Sequence, residues 1–105
     1  MRDDFIRESM EQARGYFRGL GFNDDQIGTL LSSGEKDLGR ELEKIGLLIA
    51  ESPLDTEKLN SSLHAVKGLL LNMGCHDAAG LFNGLRENVA SEANIDGIKE
   101  LIATV

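Results

Sequence analysis

Few side chains in this sequence are good nucleophiles at neutral pH: two histidines, His64 and His76, and a single cysteine, Cys75. A neutral imidazole qualifies because the free ring titrates near pH 6.5. His64 has the more suggestive neighbours. Lys67 follows it at i+3 and Gly68 at i+4, so on a helix both lie one turn along. An ammonium at that spacing disfavours a second proton on the ring and keeps it nucleophilic. Were the ring to take up a phosphoryl group, the same ammonium would offset part of the new charge. Glycine removes the side chain that would obstruct an approaching partner. It costs a helix interior about 1 kcal/mol against alanine, and close helix packing is the other ordinary reason for that cost.

The pattern around these residues fixes their direction. On a wheel of about 100° per residue, Leu59, Leu63, Val66, Leu70 and Met73 fall within about 40° of one another's mean, an apolar stripe that must face a core. His64 then lies roughly 140° from the stripe, Gly68 roughly 180°, Lys67 about 80° and Leu71 about 120°. Ser61 joins the outer face. A histidine built into a core would sit on the stripe, so the spacing predicts that His64 points to solvent, with a cation on its flank and an open surface beside it.

Other candidates carry less. Cys75-His76-Asp77 invites a metal or nucleophile reading, but zinc wants three or four ligands at set spacings, and the chain has one Cys and two His. The plainer expectation is a helix-start turn with Asp77 as cap. Asp24-Asp25 reads as a helix start, not as a carboxylate pair for acid–base work. Gly80-x-x-x-Gly84, and Gly28 with it, suggest tight packing between helices. Arg2, Arg7, Arg14 and Arg18 form a partial stripe among acids, read as a solvated face. Neither a Ser-His-Asp order nor a glycine-rich phosphate loop is present.

The elements that must position the histidine are helical throughout. Leu, Glu, Ala, Arg, Lys and Met are frequent, β-branched residues never alternate in runs, and the sole proline is Pro53. The periodicity predicts a first helix over about 3–18, closed by Gly19 and Gly21. Asn23 caps a short helix carrying Ile27, Leu30 and Leu31. Ser32-Ser33-Gly34 interrupts or bends it, and a longer helix runs from Glu35 to about Ala50. Asp55 or Thr56 caps a third long helix to about Met73, ended by Gly74. A fourth spans about 77–90 with Ala78, Phe82, Leu85 and Val89 inward. A last helix starts near Ile95, capped by Asn94 or Asp96, with Val105 beyond its end. Links of a few residues make sequential helices antiparallel neighbours. The expected architecture is all-α: an up-and-down antiparallel four-helix bundle over 23–105, with an N-terminal helix, 1–22, packed across it in a single domain.

Composition excludes several function classes. The chain has 105 residues, 18 acids against 11 bases, and a formal charge of −7. A lone cysteine cannot form an internal disulfide, so a secreted disulfide scaffold is out. Phosphate neutralisation needs clustered cations, so no nucleic-acid partner is expected. No apolar stretch, the triplet Leu69-Leu70-Leu71 included, approaches the length of a membrane span. The first dozen residues are charged and lack the apolar core of a signal peptide, so the expected location is cytoplasmic. Seven of the eleven bases precede residue 50, and only Arg86 and Lys99 follow Gly68.

At these residues the sequence resembles a known family. Leu63 to Gly74, LHAVKGLLLNMG, is similar to the signature of histidine phosphotransfer (HPt) domains: His, two residues, Lys-Gly, five residues, Gly. His64, Lys67, Gly68 and Gly74 match it, and Leu63 and Met73 fit its apolar positions. The resemblance extends from about Asn23 to Val105, with an acidic helix before the motif and a helix ending in Leu85-Arg86-Glu87 after it. It implies that His64 accepts a phosphoryl group from a receiver-domain phospho-aspartate and passes it to another receiver. Lys67 would stabilise charge, Gly68 would give the partner clearance, and Gly74 would end the helix. The implied partners are response-regulator receivers and a hybrid histidine kinase. The Mg²⁺ of such transfers belongs to the receiver, so no metal or other cofactor is expected here. The carrier is read as a standalone monomer without turnover of its own.

The chain departs from the family after Lys-Gly, where small residues are usual and Leu69, Leu70 and Leu71 stand. Leu70 lies on the core stripe, and Gly39, Gly46, Gly80 and Gly84 could make room for these leucines. Leu71 either packs on the following helix or, with Ser61, contributes to a docking patch beside His64. The departure keeps open an adaptor of the same fold that binds signalling partners without phosphotransfer; a third reading is the phosphoacceptor domain of a chemotaxis-type kinase.

Overall fold

A computed structural model of the chain describes residues 2–87, 89 and 91–102. Five helices account for nearly all of them: α1 (Arg2–Gly19), α2 (Asp24–Ile49), α3 (Thr56–Asn72), α4 (His76–Glu87) and α5 (Glu92–Ile102). Among the described residues there is no strand, and no helix is long and apolar enough to cross a membrane.

α2, α3 and α5 start where a side chain satisfies a free N–H group of the first turn. Asn23 Oδ1 accepts from the Gln26 N–H at 2.8 Å, and Gln26 Oε1 accepts from the Asn23 N–H at 3.0 Å, a complete capping box. Asp55 Oδ1 accepts from the Lys58 N–H at 3.0 Å at the head of α3. Two expected caps are corrected. The carbonyl of Cys75 accepts the first bond of α4, from Ala79, so Cys75 is the capping residue and Asp77 lies inside the first turn. Ser91 Oγ accepts from the Asn94 N–H at 3.4 Å, so α5 begins ahead of the Asn94 and Asp96 expected to cap it. At its other end α4 is described to Glu87, and Val89 is already in a turn, short of the expected 90. Ala90 and Val105 lie outside the described residues.

A larger correction concerns α2, which runs unbroken through Ser32-Ser33-Gly34. Gly34 is there for clearance. A Cβ built on it would lie 2.5 Å from Met73 Sδ, so the glycine lets the end of α3 sit against α2. Leu31 and Leu38, buried on either side, outweigh the propensity cost of about 1 kcal/mol.

The helices share one core. Leu38, Leu42, Ile45, Leu59, Leu63, Val66, Leu70, Phe82 and Ile98 are wholly buried within it. α2 packs against α1, α3 and α5, and α3 packs most extensively on α4. α1 reaches α4 through Phe5, whose ring centroid lies 5.7 Å from that of Phe82.

The turn joining α3 to α4 is the tightest junction. Gly74 has φ +75°, the left-handed region that glycine enters freely. The Cys75 N–H donates to Leu70 O at 2.8 Å and the Gly74 N–H to Leu71 O at 3.1 Å, the paired bonds of a Schellman motif. Tyr16 of α1 covers the glycine so closely that a Cβ there would overlap its ring. Gly74→Ala combines strained backbone with overpacking and should cost about 2 kcal/mol or more. Gly28→Ala sits in open space on α2 and should instead gain up to about 1 kcal/mol. Urea unfolding of both variants checks the contrast.

Candidate functional site

The outward direction of His64 follows from what α3 buries. Leu59, Leu63, Val66 and Leu70 are each 0% exposed, and this stripe locks the rotation of the helix. His64 and Ser61 are exposed, and a Cβ added at Gly68 would meet nothing within 4 Å. The histidine therefore stands on an open helix face with a flat surface one turn further on. Gly68 also borders a shallow groove between α2 and α3, lined by Asp37, Arg40, Glu41, Ala65, Leu69 and Asn72.

Lys67 lies on the flank toward α4 and is half-buried. Its Nζ donates to Asn83 Oδ1 at 3.1 Å. A matching bond lies on the other side of the histidine, where Arg86 Nε donates to Asn60 Oδ1 at 3.0 Å. Asn60 and Lys67 are i−4 and i+3 from His64, so the two bonds tie α3 to α4 one turn before and one turn after it. Asn60, Asn83 and the role of Arg86 were missed from sequence. The available signal was the wheel: Asn60 at about 100° and Lys67 at about 80° occupy the border of the stripe, where a polar side chain meets the next helix.

The leucines after Gly68 resolve differently from expectation. Leu70 is fully buried, Leu69 is half-buried against the core and Leu71 is 42% exposed. The proposed compensation by glycine is wrong. A Cβ at Gly39, Gly80 or Gly84 would meet nothing within 4 Å, and at Gly46 it would meet Ile102. The leucines fit because the helix directs Leu69 and Leu71 to its two flanks, leaving Leu70 alone to fill the core. The same open space shows that Gly80, Gly84 and Gly28 do not mediate tight packing.

His76 and Cys75 belong to the α3–α4 junction. His76 is exposed, with its ring edge-on to Tyr16 at 6.4 Å between centroids. Cys75 is fully buried, its Sγ donating to Ser9 O at 3.3 Å, and desolvation pushes its thiol pKa up. A thiol held protonated is a poor nucleophile. Among the described residues, no three His, Cys, Asp or Glu side chains come together as a metal site. No protein-family model, curated protein or solved structure matched the chain when it was compared with them.

Two measurements check these placements. Leu70→Ala should cost about 2–5 kcal/mol as a core cavity. Leu71→Ala should stay within about 0.5 kcal/mol as a surface change. Cys75 should resist a thiol reagent in the folded protein at pH 8, where its raised pKa and burial suppress thiolate, and react promptly in urea.

Proposed function

We propose that this chain is a histidine-containing phosphotransfer protein of the cytoplasm, with α2 to α5 as its four-helix bundle and α1 packed across them. It accepts a phosphoryl group on His64 from the phospho-aspartate of one receiver domain and gives it to the aspartate of another. The observation that carries this reading is the exposed His64 on an otherwise core-locked helix, with Lys67 and the open Gly68 one turn on. The resemblance of Leu63–Gly74 to the HPt signature supports it.

The transfer needs little from the carrier beyond position and charge. A lone pair of the neutral imidazole attacks phosphorus in line with the departing carboxylate oxygen. An N–P bond forms as the acyl P–O bond breaks, and the donor aspartate leaves as a carboxylate. Delivery to the next receiver is the reverse exchange. Lys67 stabilises the charge of the phosphoryl oxygens, and Gly68 leaves room for the receiver's surface. Metal-assisted steps reside in the receiver. Exposed Leu71 and Ser61 extend the docking face on either side of the histidine.

The test is transfer from a panel of phosphorylated receivers, followed by gel detection of acid-labile, base-stable label. Wild type should label and His64→Gln should not. Gly68→Gln should keep its melting temperature, because the added side chain enters open space, yet lose about tenfold or more in transfer rate through blocked docking. Label persisting in His64→Gln would overturn the assignment. Receiver binding that survives His64→Ala with no label on wild type would turn the reading to an adaptor.

A further inference from the structure

We propose that Lys67 and Arg86 together form a two-cation cradle for an anionic group on His64, with Asn60 and Asn83 as positioning residues that hold the cations without neutralising them. The inference rests on the phosphotransfer reading and names the chain's own groups that would meet the phosphoryl oxygens.

The argument starts from how this acidic chain spends its bases. Arg7, Arg18, Arg40, Lys44 and Lys58 each lie within 4.0 Å of a carboxylate, on Asp4, Asp24, Asp37, Glu41 and Asp55 respectively. Arg2, Arg14, Lys36 and Lys99 make no ion pair with a described carboxylate, but among the described residues only Lys67 and Arg86 are bases held by side-chain amides. Both are half-buried between α3 and α4, both are held across the helix pair, and both partners are neutral amide oxygens. Neither meets a carboxylate within 4.0 Å among the described residues. An amide oxygen fixes a cation's direction and leaves its charge whole, whereas a carboxylate would cancel it.

The helix register puts the two ties one turn before and one turn after His64, both on its flank toward α4. Asn60 lies one turn before His64 and Lys67 one turn after, with neighbouring Cβ atoms about 5–6 Å apart on a helix. Arg86 is tied at Nε, and neither of its Nη groups hydrogen-bonds to a described residue. The fork of the guanidinium is thus available to phosphoryl oxygens, which it suits by shape. Lys67 uses one of three ammonium protons on Asn83 and keeps the others.

Chemical labelling with phosphoramidate tests the cradle without any partner protein. The imidazole lone pair of His64 forms an N–P bond as the P–N bond of the donor breaks, and nitrogen leaves as ammonia. Labelling is followed by ³¹P NMR at about 0.15 M salt, where distant charges are screened within about 8 Å. Arg86→Gln, Asn60→Asp and Asn83→Asp should each slow labelling about three- to tenfold, as expected for losing one charge-assisted contact. Arg86→Lys should recover most of the rate, and Lys99→Gln, an equal change in net charge elsewhere, should match wild type. The two Asn→Asp variants separate the cradle from a structural tie. A carboxylate strengthens the tie, so their melting temperatures should hold or rise while labelling falls. Labelling of both Asp variants at the wild-type rate would overturn the cradle and leave the phosphotransfer reading standing. Wild type that takes no label on His64 would overturn both.

Discussion

The structure depends on how the α3–α4 turn is seated. Gly74 turns through the left-handed region beneath the Tyr16 ring, Met73 fills the notch left by Gly34, and the Cys75 thiol reaches the Ser9 carbonyl. Two helices, α1 and α2, meet these three consecutive residues, so the turn cannot slide without losing contacts to both at once. Because the turn is pinned, so is the register of α3 against α4. Lys67 and Asn83 are equidistant in sequence from Cys75 and meet across the helix pair. The partners of the two cations beside His64 are thereby chosen far from the histidine itself.

This seating also separates stability from the face proposed to act. The energy of folding lies in the wholly buried leucines and isoleucines and in Phe82, on the opposite side of α3 from His64. Ser61, His64 and Gly68 contribute little to that core, and the space around Gly68 is empty. Substitutions on the outer face can therefore report on chemistry without being confounded by unfolding. Lys67 and Arg86 are the exceptions, since each is also a tie between helices. A neutral amide partner gives a weaker tie than a carboxylate would, and that weaker tie is the physical expense of keeping the charge available.

Much of this was legible in the sequence, for identifiable reasons. The apolar stripe from Leu59 to Met73 fixed the rotation of α3, and rotation alone decides that His64 is exposed. The caps at Asn23 and Asp55 were readable because capping is local chemistry. The errors fall where a residue's role depends on a distant neighbour. Gly34 looked like a break because glycine ends or bends isolated helices, but its purpose is Met73, brought there by the fold. The glycines of α4 and Gly39 looked like packing notches, yet they face open space. The wheel sets Asn60 at the border of the apolar stripe, but neither it nor Asn83 reveals a role until the opposing helix supplies its cation.

The net charge of the chain acquires a specific meaning from that placement. At −7, the protein as a whole repels an anion, and a phosphoryl group on its surface would be disfavoured almost anywhere. Long-range repulsion is screened within about 8 Å at physiological salt, so what an anion experiences is set by the few charges at contact. In the proposed cradle those charges are Lys67 and Arg86, each tied by an amide and with no carboxylate within 4.0 Å among the described residues. An acidic protein that must hold a phosphoryl group briefly has an advantage in this arrangement. On the phosphotransfer reading proposed above, the local pair supplies that advantage, because the chain's more distant negative charge is screened beyond about 8 Å.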